Sequence, residues 1–162
     1  MSSHSDVLGI LRTDARTSVE DIARQTGLEE DDVEEVVAEL EASGVVRGYR
    51  AVVDWKRVED EPVRAAVELN VTLDRETSYN EVAERVAKFP KVESLHLVSG
   101  DYDLLMEVEG ESMSEVSSFI SEKVAPVPEI TQTVTHYVMD TYKDEGIEFG
   151  DGEDDDRLSV SP

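Results

Sequence analysis

The stretch VEDIARQTGLEEDDVEEVVAELEASG, residues 19–44, decides the fold of the N-terminal part of the chain. Two apolar patterns at helical spacing flank Gly27, which lies four residues after the small side chain of Ala23. A small residue lets two helices cross closely, and glycine supplies the turn between them. The expected packing positions are Ile22, Leu28, Val33 and Val36. The stretch therefore predicts a helix-turn-helix, with a plain three-helix bundle as the alternative.

The sequence around this motif predicts a small domain at residues 1–61. Residues 6–16 predict a first helix, and Thr17 with Glu20 forms a capping box before the second. The segment VVRGYRAVVDW, residues 45–55, alternates and is rich in β-branched and aromatic residues. It therefore predicts a strand or the ribbon of a wing. Together these elements predict a winged helix-turn-helix with a β linker.

The pattern changes after Pro62 to elements in the order β-α-β-β-α-β. ERVAKFPKV, residues 84–92, and EKVAPVPEI, residues 122–130, match at a fixed offset of 38 residues. Each copy is a helix end, a proline and a strand start, so two split βαβ halves predict a ferredoxin-like domain at residues 62–143. The predicted fold class is α+β, and residues 144–162, which include DGEDDDR, are expected to be a disordered acidic tail.

The chain is strongly acidic, with 39 acidic and 15 basic residues and a net charge of −24. This balance argues on its own against nucleic acid and anionic membrane partners. The excess is spread along the chain, and only five lysines are present. Such a surface resembles that of proteins that work in molar salt, where the Debye length is about 3 Å and carboxylates barely repel each other. The alternative is an ordinary acidic protein.

Several classes of site are not predicted. The chain has no cysteine, and its apolar runs are too short to span a bilayer, so a cytoplasmic protein without membrane partners is expected. His96 and His136 fall on predicted strands without a metal-ligand pattern. No nucleotide-binding glycine loop or Ser-His-Asp spacing is present, so no catalytic residue is proposed, and a small-molecule enzyme on a ferredoxin-like fold is the minor alternative.

Three motifs carry a resemblance to a known family: LEASGVVRGYRAVVD at residues 40–54, GYR within it at residues 48–50, and SGDYDLL at residues 99–105. With the order of elements, they resemble the Lrp/AsnC, or feast/famine, transcription regulators, here of a salt-loving archaeal type. The resemblance covers residues 6–142. It implies a winged helix-turn-helix joined to a RAM effector domain, assembly through the β-sheets into dimers or higher even oligomers, and control by a small effector, usually an amino acid. No other cofactor is implied.

The helix that reads DNA in that family is usually rich in Arg, Lys, Ser and Thr, and here it is acidic. Eight carboxylates and no base lie between Glu29 and Glu41. The positions expected to face DNA are Asp31, Asp32, Glu34, Glu35, Ala38 and Glu39. Either molar salt and bound cations remove the repulsion from phosphates, or the helix has lost DNA contact and the protein is an effector sensor that acts through other regulators. Carboxylates can accept from cytosine N4, so acids are compatible with a major groove.

Under the DNA-binding interpretation, five arginines are expected to contact the DNA backbone: Arg12, Arg16, Arg24, Arg47 and Arg50. The alternative for each is a solvated charge or a local ion pair. In the family, the glycine-tyrosine-aspartate loop lines the effector pocket, which implies roles for Gly100, Asp101, Tyr102 and Asp103. Asp103 is expected to pair with an ammonium group, and Thr133 and Thr135 with a carboxylate. The alternative is a tight hairpin in which an aspartate caps its own backbone.

Overall fold

A computed structural model describes residues 3–150 of the 162-residue chain. The chain divides into two compact units, of which the first ends at Ala51 and the second begins at Val52. The division falls ten residues before the expected boundary after residue 61. The segment in between belongs to the second unit because its Lys56 side chain contacts two residues of that unit. The Lys56 ammonium forms an ion pair of 2.5 Å with Asp140 and lies 5.8 Å from the centre of the Tyr142 ring.

Three helices form the first unit: α1 (Ser3–Thr13), α2 (Val19–Thr26) and α3 (Glu30–Ala42). Their buried side chains form one apolar cluster of Val7, Ile22, Ala23, Val33, Val36 and Leu40. The first helix ends three residues earlier than expected, since the Asp14 carboxylate accepts the Arg16 amide at 2.8 Å and the Thr17 hydroxyl donates to the Asp14 carbonyl at 2.8 Å. These local bonds favour a turn over further helix.

The turn between α2 and α3 has the geometry that the sequence predicts. Gly27 has φ 74°, a left-handed conformation that suits glycine, and its amide donates to the Ala23 carbonyl at 2.8 Å. The cap of α2 is Ser18 rather than Thr17, because the Ser18 hydroxyl accepts the Asp21 amide at 3.1 Å. The helix-turn-helix is confirmed, with its N-cap one residue later than expected.

Residues 45–54 form neither a helix nor a strand, so the expected ribbon of a wing is not formed. A strand needs a partner to satisfy its backbone groups, and no second strand among residues 3–51 supplies one. The segment instead turns back onto α3. The Val46 amide donates to the Leu40 carbonyl at 2.9 Å, and the Tyr49 hydroxyl donates to Glu41.

The second unit is a four-stranded antiparallel sheet with two helices, as expected for a ferredoxin-like fold. Its strands are β1 (Val63–Val71), β2 (Val92–Leu97), β3 (Leu104–Gly110) and β4 (Ile130–Tyr137), in the spatial order β2-β3-β1-β4. Its helices are α4 (Tyr79–Ala87) and α5 (Met113–Phe119), and a π-helical turn (Ile120–Val124) extends α5. The alternating burial of β1 places Val67 and Leu69 beneath the helices and leaves Ala66 and Glu68 on the open face.

The two sequence repeats fold in the same way. In each, the helical valine is fully buried, and the first strand amide donates to the carbonyl of an apolar residue three positions earlier. The distance is 3.0 Å both from Val92 to Phe89 and from Ile130 to Val127. The repeat therefore encodes the helix-to-strand corner, and its recurrence at a fixed offset reflects the two βαβ halves.

The first part of the expected tail is ordered. Strands β5 (Lys143–Asp144) and β6 (Ile147–Glu148) form a short hairpin with a two-residue turn. Both turn residues have positive φ, 45° at Glu145 and 83° at Gly146, which matches the right-handed twist of paired strands. The prediction of disorder is therefore wrong for residues 144–148, and residues 151–162 lie outside the described part of the chain.

A leucine pair tests where the core of the second unit lies. Leu69 is fully buried, whereas Leu97 is 58% exposed. We expect Leu69→Ala to lower the free energy of unfolding by about 2–5 kcal/mol. The matched Leu97→Ala change should cost less than about 0.5 kcal/mol. Urea unfolding in molar KCl, followed by the fluorescence of Trp55, measures both, and equal losses would contradict the assignment.

Candidate DNA-binding face and effector loop

The outer face of α3 is a continuous acidic surface. Val33, Val36 and Leu40 are buried on the inner side of the helix. The residues expected to face DNA are all exposed on its outer side, namely Asp31, Asp32, Glu34, Glu35, Ala38 and Glu39. The structure thus places these side chains together where a DNA-reading helix presents its contacts.

The acids of α3 differ in whether they have partners. Near the C-terminal end, the Glu39 carboxylate lies 2.6 Å from the ring nitrogen of His4 on α1. The Glu41 carboxylate accepts the Tyr49 hydroxyl at 2.9 Å. The six acids from Glu29 to Glu35 form no ion pair with any residue between 3 and 150. Their charge is available to solvent cations or to a ligand.

The arginines expected to contact DNA are all exposed, but they fall into different settings. Arg24 forms an ion pair with Asp21 on the same helix, which is the local ion pair expected as the alternative to DNA contact. The guanidinium groups of Arg12, Arg16 and Arg47 have no ion pair among the described residues. Arg12 lies in the last turn of α1, while Arg47 and Arg50 lie in the segment after α3. The cations therefore lie at the ends of helices and in loops, and the outer face of α3 holds none.

The Tyr49–Glu41 contact was missed by sequence reasoning, although the GYR motif contains the tyrosine. It ties the segment that carries Arg47 and Arg50 to the last turn of α3. The hydrogen bond to Glu41 raises the pKa of Tyr49, and burial and the negative charge of Glu41 act in the same direction. The neutral phenol is the form that donates, so this attachment persists through neutral pH.

The effector loop, residues 99–103, joins β2 to β3. Gly100 has φ 130°, a conformation that L side chains rarely adopt. The Val98 amide donates to the Asp103 carbonyl at 2.9 Å and closes the loop. Asp101 is exposed, and Tyr102 is half-buried. The loop therefore keeps three of its expected ligand-facing residues accessible on a fixed backbone.

Asp103 has structural partners that the sequence did not predict. One carboxylate oxygen, Oδ2, accepts the Val71 amide at 2.8 Å, so the side chain caps the end of β1 instead of its own backbone. The other, Oδ1, accepts the Tyr79 hydroxyl at 3.3 Å. The Asn70 side-chain amide donates to the Asp101 carbonyl at 3.0 Å. Tyr79 and Asn70 thus contact the loop, and neither contact was predicted from the sequence.

Thr133 and Thr135 lie on the helix-covered face of the sheet. Thr133 pairs with Leu69 and Thr135 with Val67, and in antiparallel strands directly paired residues share a face. Thr133 is in the same row as Leu104, which follows the effector loop, two strands away. That separation is about 10 Å at the usual strand spacing. Both hydroxyls lack a hydrogen-bond partner among residues 3–150. By the strand register, Thr133 lies at the loop end of the sheet and Thr135 lies one row further from the loop.

His96 and His136 lie on the open face of the sheet. The His136 ring nitrogen is 3.1 Å from the Glu68 carboxylate, and His96 is exposed beside Leu105. Within the described residues, no group of three or more His, Asp or Glu side chains is placed to hold a metal ion. None of the described helices has the length and apolar character to cross a bilayer.

Comparison with known proteins agrees with this architecture. Residues 64–147 match the family model of the Lrp/AsnC ligand binding domain. The HTH-type transcriptional regulator YugG of Bacillus subtilis strain 168 is 38% identical over 159 residues, which cover 98% of this chain and 96% of that protein. The leucine-responsive regulatory protein of Haemophilus influenzae is 27% identical over 137 residues, covering 85% of this chain and 82% of that protein. The solved structure of LrpC from B. subtilis is 25% identical, with a TM-score of 0.62, and covers 88% of this chain and 96% of that chain.

A helix-turn-helix joined to a ferredoxin-like ligand-binding domain defines a transcriptional regulator with an effector domain rather than an enzyme. The chain belongs to the Lrp/AsnC family.

The Tyr49 attachment predicts a pKa change that can be measured. Replacing Glu41 by Gln weakens the hydrogen bond that the carboxylate accepts and removes the charge that disfavours the phenolate, so the pKa of Tyr49 should fall toward its usual value. Glu39→Gln removes an equal charge from the same helix, but Glu39 pairs with His4, so this control should leave Tyr49 nearly unchanged. NMR titration of ring-labelled tyrosine measures both, and equal effects of the two changes would contradict a specific Tyr49–Glu41 bond.

Proposed function

We propose that this regulator binds double-stranded DNA through its helix-turn-helix and that an amino acid bound near the effector loop shifts that binding. The observation that carries the DNA-binding part is the intact turn: left-handed Gly27 bonded to Ala23, with α2 and α3 packed over a shared apolar core. Such packing presents the outer face of the second helix to a groove. A cytoplasmic location follows from this role.

Cations would make an acidic reading helix compatible with phosphates. The six unpaired carboxylates from Glu29 to Glu35 are free to hold hydrated cations against the DNA backbone. At about 1 M salt the Debye length is roughly 3 Å, so the remaining repulsion acts only at contact. The spread of the acidic excess over the whole chain supports a protein adapted to high internal salt, as in salt-loving archaea. Arg12, Arg16 and Arg47 supply direct phosphate contacts.

An amino acid fits the groups near the effector loop. Asp103 Oδ1 has capacity for an ammonium donor, and the Thr133 hydroxyl can donate to a carboxylate. The name of the leucine-responsive relative supports an amino acid as the class of effector. Such an effector shifts DNA binding only if it binds one conformation or assembly better than another.

We place self-assembly at the open face of the sheet. On this face Glu68 lies between Leu105 of β3 and Val134 of β4, and in a neighbouring row Ala66 lies between Glu107 and His136. Half-buried apolar side chains thus alternate with charged ones, and interfaces between subunits combine apolar contacts with hydrogen bonds between polar groups. We propose a homodimer that packs sheet against sheet and pairs further into a higher even oligomer.

The second candidate function is an effector-sensing oligomer that does not grip DNA. The same unpaired carboxylates favour it, since a helix without a base on its outer face repels phosphate wherever cations do not intervene. Both functions share the effector domain, and a DNA-binding experiment separates them.

Binding to the protein's own promoter tests the proposal. At about 2 M KCl we expect sequence-specific binding by fluorescence anisotropy. Arg47→Ala should weaken it about tenfold, as for loss of one charge-assisted hydrogen bond. Arg24→Ala is the matched control, because Arg24 is already paired with Asp21, and it should have little effect. If the folded protein binds its promoter no better than unrelated DNA at every KCl concentration, the sensor function is favoured instead.

The proposed interface predicts a change in mass. Leu105→Asp places a second negative charge beside Glu68 on the open face and should convert the oligomer to a monomer with the fold retained. Leu97→Asp puts the same charge on an exposed residue of the adjacent strand, on the other face, and should leave the mass unchanged. Light scattering after gel filtration, with circular dichroism as the check on folding, distinguishes these outcomes. A folded Leu105→Asp protein with the wild-type mass would contradict the interface.

A further inference from the structure

Tyr79 joins helix α4 to the effector loop. It is the first residue of α4, directly after the N-cap Ser78, which forms a capping box with Glu81. The Ser78 amide donates to Glu81 at 2.7 Å, so the start of the helix is fixed. The Tyr79 ring packs against the buried core of the second unit, and its hydroxyl reaches Asp103. A rigid ring on a capped helix end holds a hydroxyl in a defined position.

The two oxygens of Asp103 are held with different strength. Oδ2 accepts a backbone amide at 2.8 Å, a normal hydrogen-bond length. Oδ1 accepts the Tyr79 hydroxyl at 3.3 Å, which is longer than the usual O–H···O range of about 2.5–3.0 Å. A carboxylate oxygen has two lone pairs, so Oδ1 keeps most of its accepting capacity. It is the atom of this side chain that can take a further donor.

We propose that Tyr79 is a positioning residue of the effector site. One oxygen of the Asp103 carboxylate is held by the hydrogen bond from the Val71 amide. The Tyr79 hydroxyl sets the orientation of the other oxygen, Oδ1, so that Oδ1 points toward the ammonium group of the effector. This inference rests on the proposed binding of an amino acid at the loop. It assigns to Tyr79 the discrimination between a ligand that carries an ammonium group and one that lacks it.

The loop does not need the Tyr79 hydroxyl to keep its backbone in place. The Asp103 amide donates to the Leu69 carbonyl at 3.0 Å, and the Asn70 side chain holds the Asp101 carbonyl at 3.0 Å. These bonds remain when Tyr79 is changed to Phe, and the ring still fills its place in the core. Removal of the hydroxyl should therefore change the orientation of one carboxylate without unfolding the loop.

A tyrosine pair in the same unit gives a matched comparison. The Tyr137 hydroxyl donates to the Met113 carbonyl, also at 3.3 Å, and Tyr137 is partly buried like Tyr79. Tyr79→Phe and Tyr137→Phe thus delete the same atom and a hydrogen bond of the same length. Only the first deletion removes a bond to Asp103. The two variants should have similar unfolding midpoints.

The experiment uses the full chain in about 2 M KCl. Isothermal titration with each of the twenty standard amino acids first finds the tightest ligand. Its 2-hydroxy acid analogue, which keeps the carboxylate and side chain but replaces the ammonium group by a hydroxyl, is titrated next. We expect Tyr79→Phe to weaken amino-acid binding five- to tenfold and to reduce the preference over the hydroxy acid by a similar factor. Tyr137→Phe should leave both quantities at the wild-type values.

The outcomes separate the inference from the proposed function. If the wild type binds an amino acid and Tyr79→Phe binds it equally well, with the same preference over the hydroxy acid, the role of Tyr79 is overturned and the effector function stands. Equal losses in both variants would reduce Tyr79 to a packing residue and overturn the inference as well. If no amino acid binds the wild-type protein, the proposed effector class and the role of Tyr79 fail together.

Discussion

The packing of α3 against the other two N-terminal helices is the interaction on which the first unit and its candidate DNA-binding face depend. Val33, Val36 and Leu40 are buried, and burial of such a side chain contributes about 1.5–3 kcal/mol. On the outer face, like-charged pairs four residues apart oppose the helix by about 0.2–0.5 kcal/mol each in dilute buffer. Burial therefore outweighs the repulsion within the helix at any salt concentration. The acidic face matters for what the helix can approach, and much less for whether it folds.

The acids of α3 lie where the helix favours negative charge or where a neighbouring side chain binds it. The first turn of α3 holds Glu30, Asp31 and Asp32, and negative charge near a helix N-terminus is favourable. Toward the other end, His4 and Tyr49 engage Glu39 and Glu41, which links α1 and the GYR segment to α3. The helix is thus stable in its acidic form. In the second unit, Asp103 plays a comparable part, since one carboxylate ties the effector loop to the end of β1.

Local sequence patterns predicted most of the fold. The Ala23–Gly27 spacing predicted the helix-turn-helix, and the repeat at an offset of 38 residues predicted two βαβ halves, because each encodes a short-range geometric demand. The ribbon at residues 45–55 could not be predicted in the same way. Its β-branched residues favour an extended chain, but a strand also needs a partner, and the described part of the first unit contains none. The hairpin at residues 143–148 was missed because its turn uses Glu145 at positive φ, which is uncommon for that residue.

The candidate sites were predicted less completely than the fold. The sequence placed Gly100 to Asp103 in one loop, but the partners of Asp103 come from Val71 and Tyr79, which are more than 20 residues away. Such contacts depend on tertiary packing and leave no local signal. The same holds for Arg24, whose pairing with Asp21 distinguishes it from the unpaired arginines only once the side chains are placed.

If cations mediate the approach of the acidic helix to DNA, as we propose, the salt dependence of the DNA affinity will show it. A protein that neutralises phosphates with Lys and Arg releases counterions, so its binding constant falls with KCl concentration with a logarithmic slope of about −0.9 per phosphate contact. Uptake of cations between carboxylates and phosphates predicts a slope near zero or positive, measured by anisotropy of promoter DNA from about 0.2 to 3 M KCl. A steep negative slope would contradict the account and would indicate that a basic surface grips the DNA.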